Sequence, residues 1–222
     1  MGRKLDSEEG LRERKRRETR ALIAGTAMRL FMRRGFDAVS VAEIAAAAGV
    51  AEKTVYNYFP VKAAMFFDEA DNVLAELLAA VRYRTAGQSA VDAVGTFIAG
   101  RGEWAAGRRP AQPTGRFRQL IAGSTALQAQ QRLMFAAFET ALADVLAEET
   151  GARRGAAEPF VAAVALVGVI RAAFEVSPGG PEPDRDMATS ALRLLADGLS
   201  GYAIRPTLIL LGLYVSAGQI SH

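Results

Sequence analysis

Residues 51–58 bring together side chains that can recognise the edges of nucleic-acid bases. A lysine such as Lys53 can donate to guanine O6 and N7, and an asparagine such as Asn57 can pair with adenine N6 and N7. Thr54 can contact a phosphate or a thymine methyl group. Such contacts need a rigid element that holds the side chains in the major groove. The neighbouring sequence therefore decides whether this segment can do that chemistry.

The neighbouring sequence predicts two short helices joined by a tight turn. Ser40 is followed three residues later by Glu43, a capping box that starts a helix. That helix ends before Gly49, which supplies the turn, and Ala51–Tyr58 forms the second helix. The spacing is that of a helix-turn-helix, with one face of the second helix left free. The small apolar contact between the two helices comes from Ile44, Ala45, Val50 and Val55.

Longer helices are predicted on both sides of this unit. The first runs from about residue 11 to 34, because its apolar residues recur on one face and Gly35 follows two arginines. After Pro60, one continuous helix is predicted over about Val61–Tyr83, roughly 35 Å long. Its apolar stripe comprises Phe66, Ala70, Val73, Leu74, Leu77, Leu78 and Val81. Further helices are predicted at about Ala90–Ala106, Arg116–Gly123, Ala126–Glu149, Pro159–Val176 and Asp184–Ala203.

The composition argues against several classes of function. The chain has no cysteine, and its one histidine is the last residue, His222. Thiolate zinc sites, disulfides and the common catalytic triads are therefore excluded, and we expect no metal, no cofactor and no catalytic site. The segment Met1–Asp6 is not followed by an apolar stretch, so we expect no secretory signal and a cytoplasmic protein.

Charge is distributed unevenly along the chain. Residues 1–62 hold 13 Lys and Arg against 8 Asp and Glu, a balance of +5, whereas residues 63–222 hold 14 against 16, a balance of −2. Basic charge at one end indicates a polyanionic partner, although a charged run can also be a solvated surface.

The helix ending in Arg-Arg-Gly-Phe, the Ala-Gly-Val turn and the run Thr-Val-Tyr-Asn-Tyr-Phe-Pro-Val-Lys together resemble the tetracycline-repressor (TetR) family over about residues 18–67. The resemblance implies an all-α protein with an N-terminal three-helix DNA-binding domain, a linking helix and a C-terminal helical domain for ligand binding and dimerisation. It further implies a sequence-specific transcriptional regulator, a repressor that a small-molecule effector releases from its operator. We expect the DNA-binding domain at 1–62, the effector and dimerisation domain at 63–204, and a tail of unknown role at 205–222.

One position departs from the family's pattern. Ala51 stands where the family often has a serine or threonine that caps the recognition helix. Loss of such a cap costs a helix about 1 kcal/mol when nothing replaces it. The first residue of that helix is therefore uncertain by one position.

The expected DNA contacts follow from the resemblance and from charge. The resemblance favours Thr54, Tyr56, Tyr58 and Lys62, with Lys62 meeting one phosphate from the start of the linking helix. The arginines before residue 21 can follow the DNA backbone or enter the minor groove, or can simply form a solvated terminus. The full set of candidate DNA contacts is Ser40, Lys53, Thr54, Tyr56, Asn57, Tyr58, Lys62, Arg16, Arg17 and Arg20.

The C-terminal half offers candidates for dimerisation and for effector binding. Its last two helices are apolar over too wide an arc for surface helices, so they line either a dimer interface or the subunit core. Two such subunits would present their recognition helices to a palindromic double-stranded operator. The candidate interface residues are Val164, Val167, Leu192, Leu195 and Leu199. The candidate effector residues, which can equally be core residues, are Phe97, Trp104, Phe117, Gln119, Phe135, Phe138, Arg171 and Phe174.

Two other functions fit the sequence less well. An enzyme could use the paired carboxylates Glu148 and Glu149, but adjacent residues on a helix point to different faces. A DNA-compacting protein would need an extensive basic surface, which the acidic C-terminal half does not provide. The apolar stretch of about Thr207–Ala217 is shorter than the ~20 residues that a membrane span requires, and Gly212 interrupts it. The composition of the whole tail, Arg205–His222, suggests no role.

Overall fold

The computed structural model describes residues 2–108, 114–175 and 185–198. Within these ranges the chain is helical without strands, as the sequence predicts. No helix there is long and apolar enough to cross a membrane. The helices are α1 (Gly2–Arg34), α2 (Val41–Ala48), α3 (Glu52–Tyr58), α4 (Lys62–Phe66), α5 (Ala70–Arg82), α6 (Ala90–Arg108), α7 (Thr114–Gly123), α8 (Thr125–Thr150), α9 (Ala157–Glu175) and α10 (Arg185–Asp197).

The capping box at the start of α2 is confirmed. The Ser40 hydroxyl accepts from the Glu43 amide at 3.1 Å, and the Glu43 carboxylate accepts from the Ser40 amide at 2.8 Å. The helix ends at Gly49, whose φ of 68° is left-handed and suits a residue without a side chain. This turn places α3 across α2.

Helix α3 begins at Glu52, one residue later than the predicted span. Ala51 is the residue before it, in an extended conformation and without a side-chain cap. The helix has only seven residues, so its hydrogen bonds alone cannot stabilise it. Val55 is fully buried beneath it, which makes packing the main source of its stability.

The first hydrophobic core, here called the N-terminal core, lies beneath α1–α4 but also includes residues from much later in the chain. Leu120 and Ile121 of α7 and Leu127 of α8 pack into it. This core therefore extends beyond Lys62, the residue at which the sequence predicts a domain boundary. Its large buried members from the first 70 residues are Ile23, Phe31, Phe36, Val39, Ile44, Val55, Phe59, Met65 and Phe66.

The prediction of one continuous linking helix is wrong. The segment breaks into α4 and α5 at Phe67–Glu69, where Phe67 leaves helical geometry with φ −106° and ψ 33°. The break lets two consecutive aromatic residues meet the same partner: the Phe66 ring stacks on Phe117 at 4.3 Å between centroids, and the Phe67 ring meets it edge-on at 6.4 Å. Adjacent side chains of an unbroken helix point 100° apart and could not both contact the Phe117 ring.

The second hydrophobic core joins α5, α6, α8, α9 and α10. Helices α8 and α9 pack along much of their length, and α10 rests on α6 and α9. At the far end of α5, Arg82 and Arg84 form ion pairs with Glu148 and Glu149 of α8. The two glutamates proposed as an enzymatic alternative are thus partners of arginines that connect the two helices.

Acid should weaken the capping box. Hydrogen bonds from the Ser40 amide and from the Arg34 guanidinium lower the pKa of Glu43 from 4.5 to about 2. Because this pKa is lower in the folded state, the stabilisation is present above about pH 4.5 and is lost as pH falls toward 2. We predict that Glu43→Gln lowers the unfolding free energy more at pH 7 than at pH 3, as measured by urea denaturation.

The control variant is Glu52→Gln, which removes an exposed carboxylate from the first turn of the next helix. A stability difference between Glu43→Gln and wild type that is the same at both pH values would contradict this assignment.

Candidate nucleic-acid interface and ligand cavity

Helix α3 presents one solvent-facing side. Lys53, Tyr56 and Asn57 are all exposed, with Tyr56 at 48%. Their spacing of three and four residues places them on a single helix face, opposite the buried Val55. Thr54 and Tyr58 are half-buried at the edges of this face. The arrangement gives a short convex ridge of donors and one aromatic ring, which is the shape that enters a major groove.

Ser40 lies exposed at the start of α2, but its hydroxyl already has a partner. The Ser40 hydroxyl donates to the Glu43 carboxylate at 3.0 Å while accepting from the Glu43 amide. Arg34 holds the other oxygen of the same carboxylate at 2.7 Å. A phosphate contact from Ser40 therefore stays a prediction, and the structure adds a capping role.

The side chain of Lys62 also has hydrogen-bond partners within the fold. Its ammonium donates to the carbonyl oxygens of Phe36 and Val39, each at 2.9 Å, and lies 4.1 Å from the Phe36 ring centre. Burial lowers the pKa of Lys62, and the nearby Asp37 carboxylate opposes this. Lys62 thereby fastens α4 to the segment between α1 and α2, and its predicted phosphate contact stays a prediction.

The arginines of α1 fall into two groups. Arg16 and Arg17 are exposed, beyond the part of α1 that packs on the N-terminal core. Arg20 is half-buried and makes an ion pair with Asp68, with 2.7 Å between Nε and Oδ1. Of these three, only Arg16 and Arg17 have the exposure expected of residues that follow a DNA backbone.

An apolar cavity of about 320 Å³ lies between α1, the α4–α5 break, α7 and α8. Three of the predicted effector residues line it: Phe117, Phe135 and Phe138. Its main lining residues that sequence reasoning missed are Met28, Met65, Phe66, Phe67, Asp68, Val73, Gln131 and Met134. The consecutive Phe66 and Phe67 could have indicated these lining residues, because two adjacent aromatic side chains rarely both belong to the apolar stripe of one helix.

The other predicted effector residues lie elsewhere. Phe97 is buried in the second core, and Gln119 is exposed. The Arg171 guanidinium lies 5.7 Å from the ring centre of Phe135, and Arg171 is not among the residues that line the cavity. The side chains of Trp104 and Phe174 fall outside the described part of the chain.

The predicted interface residues are mostly covered within one chain. Val167 and Leu192 are buried in the second core, and Leu195 packs against it half-buried. Val164 is half-buried, and Leu199 lies outside the described residues. The outward side of α9 is instead formed by Phe160, which is 46% exposed, and Val161, which is 64% exposed.

Two segments of the chain match models of known protein families. Residues 23–68 match the family model described as "Bacterial regulatory proteins, tetR family", and residues 105–200 match the model described as "MftR C-terminal domain". No curated protein matches the chain by sequence.

Several solved structures share the fold. FadR of Thermus thermophilus, a TetR-family transcriptional repressor solved with lauroyl-CoA, is 25% identical, with a TM-score of 0.51 over 85% of this chain and 97% of that one. A putative TetR-family transcriptional regulator of Mesorhizobium loti is 18% identical, with a TM-score of 0.51 over 82% and 95%. GusR of Salmonella enterica is 17% identical, with a TM-score of 0.52 over 81% and 94%.

Removing the Lys62 ammonium should destabilise the fold even without DNA. In Lys62→Met the stem can still cover the Phe36 ring, but the Val39 carbonyl oxygen loses its ammonium donor and the Phe36 carbonyl oxygen keeps only the Val39 amide. We predict a loss of about 1–3 kcal/mol in the unfolding free energy, the scale of hydrogen bonds to a charged group. Urea denaturation of the DNA-free protein measures it.

Lys53→Met is the matched control, because Lys53 is exposed on α3 and the same change there leaves no carbonyl unpaired. Equal stability of Lys62→Met and the control would show that the ammonium does not fasten α4.

Proposed function

We propose that this chain, which belongs to the TetR family of DNA-binding transcriptional regulators, represses transcription as a homodimer. In this proposal the dimer reads a palindromic operator with α3 and leaves the operator when a small molecule fills the apolar cavity. The observation that supports DNA binding is the exposed face of α3. Lys53, Tyr56 and Asn57 are exposed together on this face, and the buried Val55 on the opposite side anchors the helix in the N-terminal core.

The proposed roles on α3 follow from the chemistry of each side chain. Lys53 and Asn57 supply base-edge donors, and Tyr56 supplies a phenol and an aromatic surface. Arg16 and Arg17 add charge for the phosphate backbone without adding sequence information. Affinity and specificity are therefore carried by different helices, α1 and α3.

The proposed dimer contact is the outward side of α9. Phe160 and Val161 are large apolar residues that one chain leaves exposed, and both are continuous with the small residues Ala165 and Gly168 along the helix. Small residues allow a second helix to approach closely. A contact here fits the requirement of a palindromic site for two recognition helices about 34–36 Å apart.

The proposed effector site is the cavity beside the α4–α5 break. Its volume of about 320 Å³ lies within the range of small-molecule pockets, and its largely apolar walls include five phenylalanines and three methionines. These walls favour a largely apolar effector. FadR of Thermus thermophilus was solved with lauroyl-CoA, which supports effector control in a protein of the same fold.

DNA binding by α3 can be tested with single substitutions. We predict that Tyr56→Ala weakens binding to an operator fragment by more than tenfold and that Lys53→Ala costs about 1–3 kcal/mol and relaxes specificity at one base pair. Fluorescence anisotropy on a fragment from the protein's own promoter, located by footprinting, measures both.

Glu52→Ala is the control on the same helix, because it removes an exposed side chain that has no role in the proposed contacts. The assignment of α3 would be overturned by Tyr56→Ala and Lys53→Ala both binding like this control. Uniform protection of the whole fragment, rather than a short palindromic site, would indicate a DNA-compacting protein instead.

The dimer contact can be tested with a charge placed on α9. Val161→Arg should split the dimer, because it would bury an unpaired charge in the interface. Sedimentation should show a folded monomer, and operator affinity should fall by about two orders of magnitude or more, since a lone half-site contact is weak.

Leu133→Arg is the matched control, since Leu133 on α8 is 66% exposed, close to the 64% of Val161. A Val161→Arg protein that stays dimeric and binds the operator normally would place the interface on another face.

A further inference from the structure

Arg20 of α1 touches three groups that belong to other elements. Its Nε lies 2.7 Å from Asp68 Oδ1, and its Nη1 donates to the carbonyl oxygen of Tyr58 at 3.4 Å. Its guanidinium carbon lies 4.6 Å from the centre of the Phe59 ring. One side chain therefore joins α1, the C-terminal end of α3 and the α4–α5 break.

We propose that Arg20 is a positioning residue for α3, and that Asp68 in the wall of the apolar cavity is the anchor that holds Arg20 in place. The inference rests on the proposed DNA-binding role of α3. It replaces the direct DNA contact that the sequence analysis assigned to Arg20.

The C-terminal end of α3 needs a hydrogen-bond donor from another element. The last carbonyls of any helix lack partners within the helix, and a cation near them is favourable. Tyr58 contributes one of these carbonyls, and Arg20 is the cation beside it. At the other end of α3, Ala51 provides no side-chain cap. The orientation of this seven-residue helix thus depends on Val55 below it and on Arg20 at its C-terminal end.

Asp68 links this support to the cavity. Its carboxylate is mostly buried, belongs to the three-residue break between α4 and α5, and lines the cavity. The contact with Arg20 is close but poorly aligned for a hydrogen bond, so it acts as an ion pair. A ligand that turns this carboxylate away from Arg20 removes the anchor. Arg20 then no longer holds the Tyr58 end of α3 in the orientation that fits the groove.

Positioning and phosphate contact predict opposite results for one substitution. If Arg20 contacts phosphate, Asp68→Asn removes a competing anion and operator binding becomes tighter. If Arg20 positions α3, Asp68→Asn removes the anchor and binding becomes weaker, as if the cavity were filled. The salt dependence of operator binding also separates the positioning role from the phosphate contact. Only a phosphate contact contributes to the slope of log affinity against log salt concentration.

The experiment is a double-mutant cycle on operator affinity, with Asp68→Asn, Arg20→Gln and the double variant of the full-length dimer. We expect each single substitution to weaken binding about tenfold, the scale of one hydrogen bond to a charged group, with the salt slope unchanged. The double variant should bind no worse than either single variant. Amide hydrogen exchange across residues 54–58 should quicken in Asp68→Asn, which a loss of phosphate contact alone would not cause.

Arg16→Gln is the matched control, because Arg16 lies one helical turn before Arg20 and is exposed. It should lower the salt slope by about one unit and combine additively with Asp68→Asn. Tighter binding by Asp68→Asn, or additive losses in the Arg20 and Asp68 cycle, overturns the proposal.

Arg20→Lys keeps the inference testable if the other variants unfold. The lysine keeps the charge but not the planar group that meets Asp68, Tyr58 and Phe59 together. Affinity that falls about as far as in Arg20→Gln supports positioning, and near-wild-type affinity overturns it. Tyr56→Ala separates a failure of this inference from a failure of the proposed function. If α3 binds DNA, Tyr56→Ala weakens operator binding whether or not Arg20 positions the helix.

Discussion

The burial of Val55 and Phe59 is the constraint on which the rest of the structure depends. A seven-residue helix is too short to persist in water, so α3 exists only because these two side chains, both at most 1% exposed, are held in the N-terminal core. Everything that shapes this core also orients the exposed face of α3. That includes the capping box of α2, the Lys62 contacts and the aromatic cluster of Phe31, Phe36 and Phe66. In the proposed function, recognition of DNA by α3 therefore depends on the packing of the N-terminal core.

The local features of this unit could be predicted because their causes are local. A serine three residues before a glutamate specifies a capping box, and a glycine after a run of alanines specifies the turn. The break after Phe66 could not be predicted from the segment itself, because the residues that contact it, Phe117 some 50 residues later and Arg20 of α1, lie far away in the sequence. A stripe of apolar residues is compatible with one helix or with two, and the distant partner decides between them.

The exposed face of α3 could be predicted because its cause is local as well, whereas its contacts with DNA stay a prediction. The outward face of α3 follows from helix periodicity, so Lys53, Tyr56 and Asn57 are exposed as the sequence indicated. Charge alone does not reveal what a cation touches, which is why Lys62 and Arg20, both predicted DNA contacts, are found fastening parts of the fold. The wide apolar arc of α9 likewise left two interpretations open. Val167 faces the core, whereas Val161 faces outward, and periodicity cannot tell which side a second chain covers.

The N-terminal core does not belong to the first 62 residues alone. Leu120, Ile121 and Leu127 complete it, so α7 and the start of α8 are structural parts of the unit that carries α3. The cavity is bounded by these same elements, and Phe66 belongs both to the cavity wall and to the core. Cores are packed too densely for a wall residue to move without its neighbours moving as well. A ligand that displaces Phe66 or the neighbouring break must therefore disturb the packing that orients α3. In the proposed function, the cavity can influence DNA binding through this shared core, without a separate rigid connection between two domains.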